Sequence, residues 1–467
     1  MDVDRLRSFR APFEDMEAAV VRLSLARPNE VHRSRVDALR YVLSFARLQL
    51  IRNRDGADVD VADALAAHAG HVRQELLPLL DEDATLARTT QHLAPLIHTT
   101  REWRRRLLEH FPLDETSLDA EVCERPLVVT CGGGGGAGYG YAGAWQSLQR
   151  AGLQPALISG TSMGALIALF RARRKVFDTA PMYLAAQRLT FPSVFRTLQT
   201  DSRYGVPATL RLYLRAAIGS LFHTPEGAPL TFRDLEIPLL VVATGLGVDA
   251  LKHDLDFYEH FLDDAIGQGT QLRARGAQKL AQVGTILREL VSTPDALQEV
   301  VFGGDESTMD ADILDAAGFS SSIPGLIHYD VLRDDKRMKT LLDGLYARNG
   351  ITRLVEGGLV NNLPVKPAYE AVWSGRIQRR NAYYLALDCF KPRARSAIFF
   401  PIQQLVRPNV QRNLTFANLY FPLDRTLSPL NLVPGYEDVV RAQDWTAAEM
   451  EPLMPTIVES CRTLPAL

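Results

Sequence analysis

The chain has 467 residues, 46% of them hydrophobic and 23% charged, a globular composition that excludes a disordered or fibrous protein. That length exceeds one ordinary core, so about two or three structural units are expected. A net charge of −3 gives no general attraction to nucleic acid or anionic lipid, and no nucleic-acid partner is expected.

The start, "MDVDRLRSFRAPFEDMEAAV", has no basic flank followed by an apolar run, so no signal peptide is expected. No apolar stretch approaches the ~20 residues that cross a bilayer. A cytoplasmic or peripheral-membrane location is the expectation. Residues 1–122 read as a helical N-terminal domain. Val36, Leu39, Val42, Leu43, Ala46 and Leu50 form an apolar stripe of helical period, and Gly56 is the expected stop of that helix. "REWRRRLLEH" is basic and aromatic; a solvated helix face explains it better than an anionic partner. These helices are a candidate surface for a protein partner.

The pattern changes at Pro126. "PLVVTC" is a short, β-branched apolar run, expected as a buried strand. Glycines follow, then "YAGAWQSLQRAG" as a helix, "PALIS" as a second strand and "MGALIALFRARRKVF" as a second helix. Strand and helix alternating at this spacing predict a parallel α/β sheet. "IPLLVVATGL" and "NAYYLALDCF" are two more buried strands, separated by a helical insertion at about 250–300 and the "GFSSSIPGL" loop. An α/β domain is thus expected over 123–392, and a C-terminal extension over 393–467. That extension reads as extended connections, including the apolar "SAIFFPIQQLV", with a closing helix near "GYEDVVRAQDWTAAEM". The cysteines, Cys123, Cys131, Cys389 and Cys461, show no CxxC spacing, so neither a zinc site nor a redox pair is indicated.

Two segments carry chemistry. "GTSMG" fits G-x-S-x-G at Gly160, Ser162 and Gly164. A nucleophilic serine must stand on a tight strand-to-helix turn, whose flanking positions must be small because they press on neighbouring backbone. The strand before it and the helix after it supply that context. The helix also points its free N–H groups at the site. The preceding run "GGGGGAGYG" is costly in backbone entropy. It fits a loop that surrounds a tetrahedral oxyanion with N–H donors, each worth ~10²–10³ in rate. Phosphate binding is the rival reading. It lacks an acidic residue at the end of the second strand, and no Walker pattern occurs. None of the ten histidines sits in a telling motif, and His328 reads as structural. "LVEGGLVNNLPV" instead offers Glu356 where a strand breaks into a loop, with Asn361 and Asn362 to tie that loop's backbone.

In order, the glycine loop Gly133–Gly138, "GTSMG", "AAGFSSSIPGL" and "EGGLVNNLPV" resemble the patatin-like phospholipases over roughly 126–390. The resemblance implies an α/β fold: a mostly parallel sheet with helices on both faces, preceded here by the all-helical domain. It implies a lipid acyl hydrolase of phospholipase A or lysophospholipase type, with a serine–carboxylate dyad and neither metal nor cofactor. Carried over, Ser162 is the nucleophile and Glu356 the dyad carboxylate. Gly134, Gly135 and Gly136 line the oxyanion hole. A phospholipid or other acyl-ester lipid is the implied partner, with peripheral membrane contact. Two departures are expected to attenuate activity. Glu356 stands where the family has aspartate, and a ~1 Å misplacement can lower a rate ~10²-fold. Ala137 stands where the family usually has a basic residue. Asp343, in "LLDGL", is a substitute carboxylate. The alternatives are a catalytically impaired lipid-binding or regulatory protein on the same fold, and a non-lipid esterase or thioesterase.

Overall fold

The structure, a computed structural model, describes residues 2–80, 84–197, 203–206, 208–248, 296–391 and 400–467. It divides into two units. One comprises Met1–Val128, Tyr369–Tyr384 and Glu451–Leu467; the other comprises Val129–Ala368 and Leu385–Met450. The last 75 residues are therefore shared between the two.

The first unit is built on helices α1 (Val3–Ala26), α2 (Arg33–Ala46), α3 (Ala62–Leu76), α4 (Leu93–His110) and α5 (Glu115–Cys123). Phe13, Met16 and Val20 of α1 pack with Leu39, Val42 and Leu43 of α2 in its core. The helix expected to run on to Gly56 ends at Ala46. The next residues form an antiparallel hairpin, β1 (Leu50–Arg52) with β2 (Asp58–Asp60). The reason is turn chemistry. The Asn53 side chain accepts the N–H groups of Asp55 and Ala57, and Gly56 takes φ 81°. "REWRRRLLEH" faces solvent along much of α4, with Arg104 paired to Asp119 at 2.7 Å. A buried ionic knot lies inside the unit: Glu17 is met by Arg47 at 2.6 Å, Arg125 at 3.0 Å and Arg40 at 3.1 Å. Burial alone would raise the Glu17 carboxyl. The three guanidinium groups reverse this and hold it well below the usual carboxylate range.

The second unit carries the sheet. Its strands are β3 (Leu127–Cys131), β4 (Pro155–Thr161), β7 (Leu239–Gly247), β8 (Leu297–Phe302), β10 (Ile351–Val355), β11 (Tyr383–Asp388) and β12 (Leu419–Pro422). The order is β10-β7-β4-β3-β11-β12, with β8 also on β7, in a mostly parallel central sheet with helices. β4 runs parallel to β7, and β11 to β12; β8 and β10 run antiparallel to β7. β3 and β11 are buried along their whole length, and β7 along nearly all of it. That explains their unbroken apolar sequences. A second sheet of three short strands has the order β5-β6-β9: β5 (Phe195–Thr197), β6 (Ala208–Leu212) and β9 (Gly325–His328).

Helices α6 (Tyr141–Arg150) and α7 (Met163–Ala172) follow β3 and β4 as their sequences predict. Next come α8 (Ala180–Arg188), α9 (Leu214–Ile218), α10 (Ile313–Ser320) and α11 (Lys336–Asn349). The expected helical insertion falls mostly on residues 249–295, which lie outside the described residues. Its last stretch, "LQEVVF", is strand β8 of the central sheet rather than helix. The tail is also less extended than its prolines suggest. It holds α12 (Phe400–Leu414), the edge strand β12 and α13 (Tyr436–Met450). Among the described residues no helix is long and apolar enough to cross a membrane.

Candidate active site

Ser162 sits between the end of β4 and the start of α7. It is the one described non-glycine residue with positive φ, at φ 55° and ψ −129°. The glycines beside it explain the motif's spacing. A Cβ on Gly160 would stand 2.7 Å from the backbone of Ala165, and one on Gly164 would stand 2.3 Å from the Cys131 carbonyl oxygen. Only hydrogen fits at either place. The Ser162 N–H donates to Ser320 Oγ at 2.8 Å, and Ser320 Oγ donates to the Val242 carbonyl, which pins the turn to α10 and β7.

Glu356 follows the last residue of β10. Its N–H donates to the Ser322 carbonyl at 2.8 Å, and its carbonyl accepts Thr244 Oγ1 at 2.7 Å. So held, its side chain reaches the serine: Ser162 Oγ donates to Glu356 Oε2 at 3.1 Å, and Gly358 N–H donates to Oε1 at 3.3 Å. Burial pushes the carboxyl up to about 8, against the pull of those two hydrogen bonds. Among the described residues no arginine or lysine offsets the burial, and Ala137, itself buried, adds no charge. Asp343 is engaged elsewhere, with Arg203 at 2.9 Å and the Tyr204 hydroxyl at 2.9 Å. His328 is buried with Nδ1 against the Val206 carbonyl at 3.0 Å.

The glycine loop lies over the serine. A Cβ on Gly133 would come within 3.1 Å of Ser162 Cβ. Gly135 takes φ 54° and starts a 3-10 turn, Gly135–Gly140. The Gly136 N–H is committed to the Pro429 carbonyl at 3.0 Å, so it is not free for a ligand. The N–H groups of Gly134, Gly135 and Met163 make no hydrogen bond among the described residues. Met163 opens α7, whose dipole adds positive character there. An apolar cavity opens beside Ser162; with its open mouth it measures about 950 Å³. Its walls include Leu166, Ile167 and Phe170 of α7, Met182 and Ala186 of α8, and the loop Leu432–Pro434. Among the described residues no charged side chain lines it. Among the described residues no three His, Cys, Asp or Glu are grouped to hold a metal.

The family model for patatin-like phospholipase matches residues 129–369, just over half of the chain. The chain belongs to this patatin-like family. No curated protein matches it. Membership makes it a lipid acyl hydrolase at a coarse level and lipids its substrates. The patatin-like domain contains the elbow, the glycine loop and the Glu356 turn described above.

Two asparagines of α12 escaped sequence reasoning. Asn409 Nδ2 donates to the Gly358 carbonyl at 3.0 Å, and Asn409 Oδ1 accepts the Asn362 N–H at 3.1 Å, so one side chain clamps both ends of the turn after Glu356. Asn413 Oδ1 accepts from Asn361 Nδ2 at 3.2 Å and from the Lys366 N–H at 2.9 Å. Asn362 Nδ2 in turn donates to the Gly133 carbonyl at 3.3 Å, which ties the turn to the glycine loop. The only available signal was a pair of asparagines four apart in "PNVQRNL", one helical turn. Asn409→Ala should leave the fold intact and lower kcat by about 10-fold or more, with little change in KM, since a loosened turn displaces the Glu356 carboxyl from Ser162 and leaves the walls of the cavity in place. Steady-state kinetics on a soluble ester measures the split; a KM effect alone would refute this role.

Proposed function

We propose that Ser162 and Glu356 form a serine–carboxylate dyad that cleaves the acyl esters of phospholipids or lysophospholipids. The observation that carries this reading is the 3.1 Å hydrogen bond from Ser162 Oγ to Glu356 Oε2, made at the wall of an uncharged apolar cavity. Ionised Glu356 takes the Ser162 proton as Oγ attacks the acyl carbonyl. The oxyanion is met by the N–H groups of Gly134, Gly135 and Met163. Protonated Glu356 then gives its proton to the leaving glycerol oxygen, and the C–O bond breaks to leave an acyl-serine. Water attacks that ester, Glu356 takes the water proton, and Ser162 departs with a proton as the fatty acid is freed.

Glu356 works as a base only when ionised. Because burial raises its carboxyl to about 8, the ionised form, and activity with it, should grow as pH rises through neutrality toward that value. Any attenuation at pH 7 is then expected from burial without a countercharge among the described residues, since the longer side chain does reach Ser162. The deciding experiment treats wild type and Ser162→Ala with an alkyl fluorophosphonate at pH 8.5 and locates the adduct by peptide mass. Wild type should be labelled at Ser162 and lose its vesicle and soluble-ester hydrolysis together; label elsewhere, or an active labelled protein, would refute the dyad.

A further inference from the structure

The cavity has a direction. Met163, Leu166, Ile167 and Phe170 all line it, and their spacing places them on one stripe of α7, which begins at Ser162. From Met163 to Phe170 that stripe advances about 10 Å, the length of an extended chain of roughly eight carbons. Phe170, half-buried, is the last of these four along α7 from Ser162. Its ring meets Phe222 edge-on at 5.0 Å, and the Arg173 guanidinium lies over the Phe222 ring at 5.1 Å. Phe222 is 1% exposed and is not a wall of the cavity, so it stands behind Phe170 as a fixed backing. An edge-to-face pair backed by a cation resists rotation more than a lone ring does.

We propose that Phe170 is the floor of the acyl cavity and sets the chain length that the site accepts. The proposal rests on the assignment of Ser162 as the attacking group, since length is counted from that oxygen. Methylenes up to the floor are buried, each adding about fourfold to kcat/KM or to affinity. Those beyond it must fold back or stay in water, and add little. Medium chains should therefore fill the cavity, and long chains should gain nothing over them.

Two measurements test this and fail separately from the hydrolase reading. The first is kcat/KM for p-nitrophenyl butyrate, octanoate, laurate and palmitate at pH 8.5, on wild type, Phe170→Ala and Phe170→Trp. Wild type should peak near octanoate. Phe170→Ala should raise the palmitate-to-octanoate ratio about tenfold or more, and Phe170→Trp should raise the butyrate-to-octanoate ratio. Phe170→Leu serves if the alanine variant does not fold, with a smaller shift in the alanine direction. Ratios that stay fixed in the folded variants overturn the floor. The second is calorimetric binding of butanol, octanol and dodecanol to Ser162→Ala, which needs no turnover. Affinity should climb to octanol and then level. If it climbs undiminished to dodecanol, the floor is overturned while hydrolysis stands. If it levels but no ester is cleaved by wild type, the floor stands and the hydrolase reading falls.

Discussion

Ser162→Gly should be more stable than Ser162→Ala, the reverse of the usual order, while both lose ester hydrolysis by on the order of 10⁴–10⁶-fold. Both variants delete the same oxygen and the same hydrogen bond to Glu356. They differ only in the Cβ. At φ 55° and ψ −129° an L side chain is held in a region that glycine occupies freely, at a strain of about 1–3 kcal/mol. Glycine's extra freedom in the unfolded chain opposes this by about 0.5–1 kcal/mol. The balance favours the glycine variant by about 1 kcal/mol, or on the order of 2 °C in melting temperature for a unit of this size. Melting the two variants side by side checks it; an alanine variant equal to or above the glycine variant would mean the elbow is unstrained.

Glu356→Gln should keep the fold and lower hydrolysis by about 10²–10⁴-fold, since the amide cannot accept the Ser162 proton. Glu356→Asp should also lose about 10²-fold, because Ser322, Thr244 and Asn409 fix the turn and a side chain one methylene shorter falls short of Ser162. In wild type, kcat/KM should rise about tenfold per pH unit up to about 8 and then level, the limb belonging to ionisation of Glu356 in the free enzyme. The limb should vanish in Glu356→Gln. Stability moves the other way. Between the ordinary carboxyl range and about 8, folded protein holds a proton that unfolded chain has released, so raising pH through that window weakens the fold. Unfolding wild type and Glu356→Gln at pH 5 and pH 9 should show the glutamine variant gaining relative stability at pH 9. A flat difference would mean that Glu356 titrates as an exposed carboxyl.

The elbow was legible because close backbone excludes any side chain at both Gly160 and Gly164, so the sequence carries the trace directly as glycines two before and two after the serine. The buried strands β3, β4, β7 and β11 were legible for a similar reason, as apolar runs bounded by glycine or proline. Whether Glu356 could reach Ser162 was not. Reach depends on where Ser322, Thr244 and Asn409 hold its backbone, and those partners lie far away in sequence. The same applies to Gly136, whose N–H is taken by Pro429 and so withdrawn from the expected donors. β8 was absorbed into a helical reading because its six residues follow a long polar stretch. The β1–β2 hairpin was hidden because Leu50 satisfied a helical period, while the Asn53 turn that decides the matter is a side-chain effect. The helical nature of α12 was obscured by Pro401 and Pro408.

Among the described residues no cation faces Glu356, and under the proposed mechanism this bears on how the reaction ends. The liberated fatty acid leaves its own carboxyl next to Ser162, within the field of Glu356 and against walls without charge. If both ionise, two like charges face each other in a poorly screened space with nothing to bridge them. Expulsion of the head of the product is then built into alkaline operation, whereas below about 8 the two carboxyls can share a proton and the acid can linger. If Glu356 is the base, enclosure without a countercharge serves as an exit as well as a handicap: the pH that frees the base for attack should also clear the cavity for the next chain.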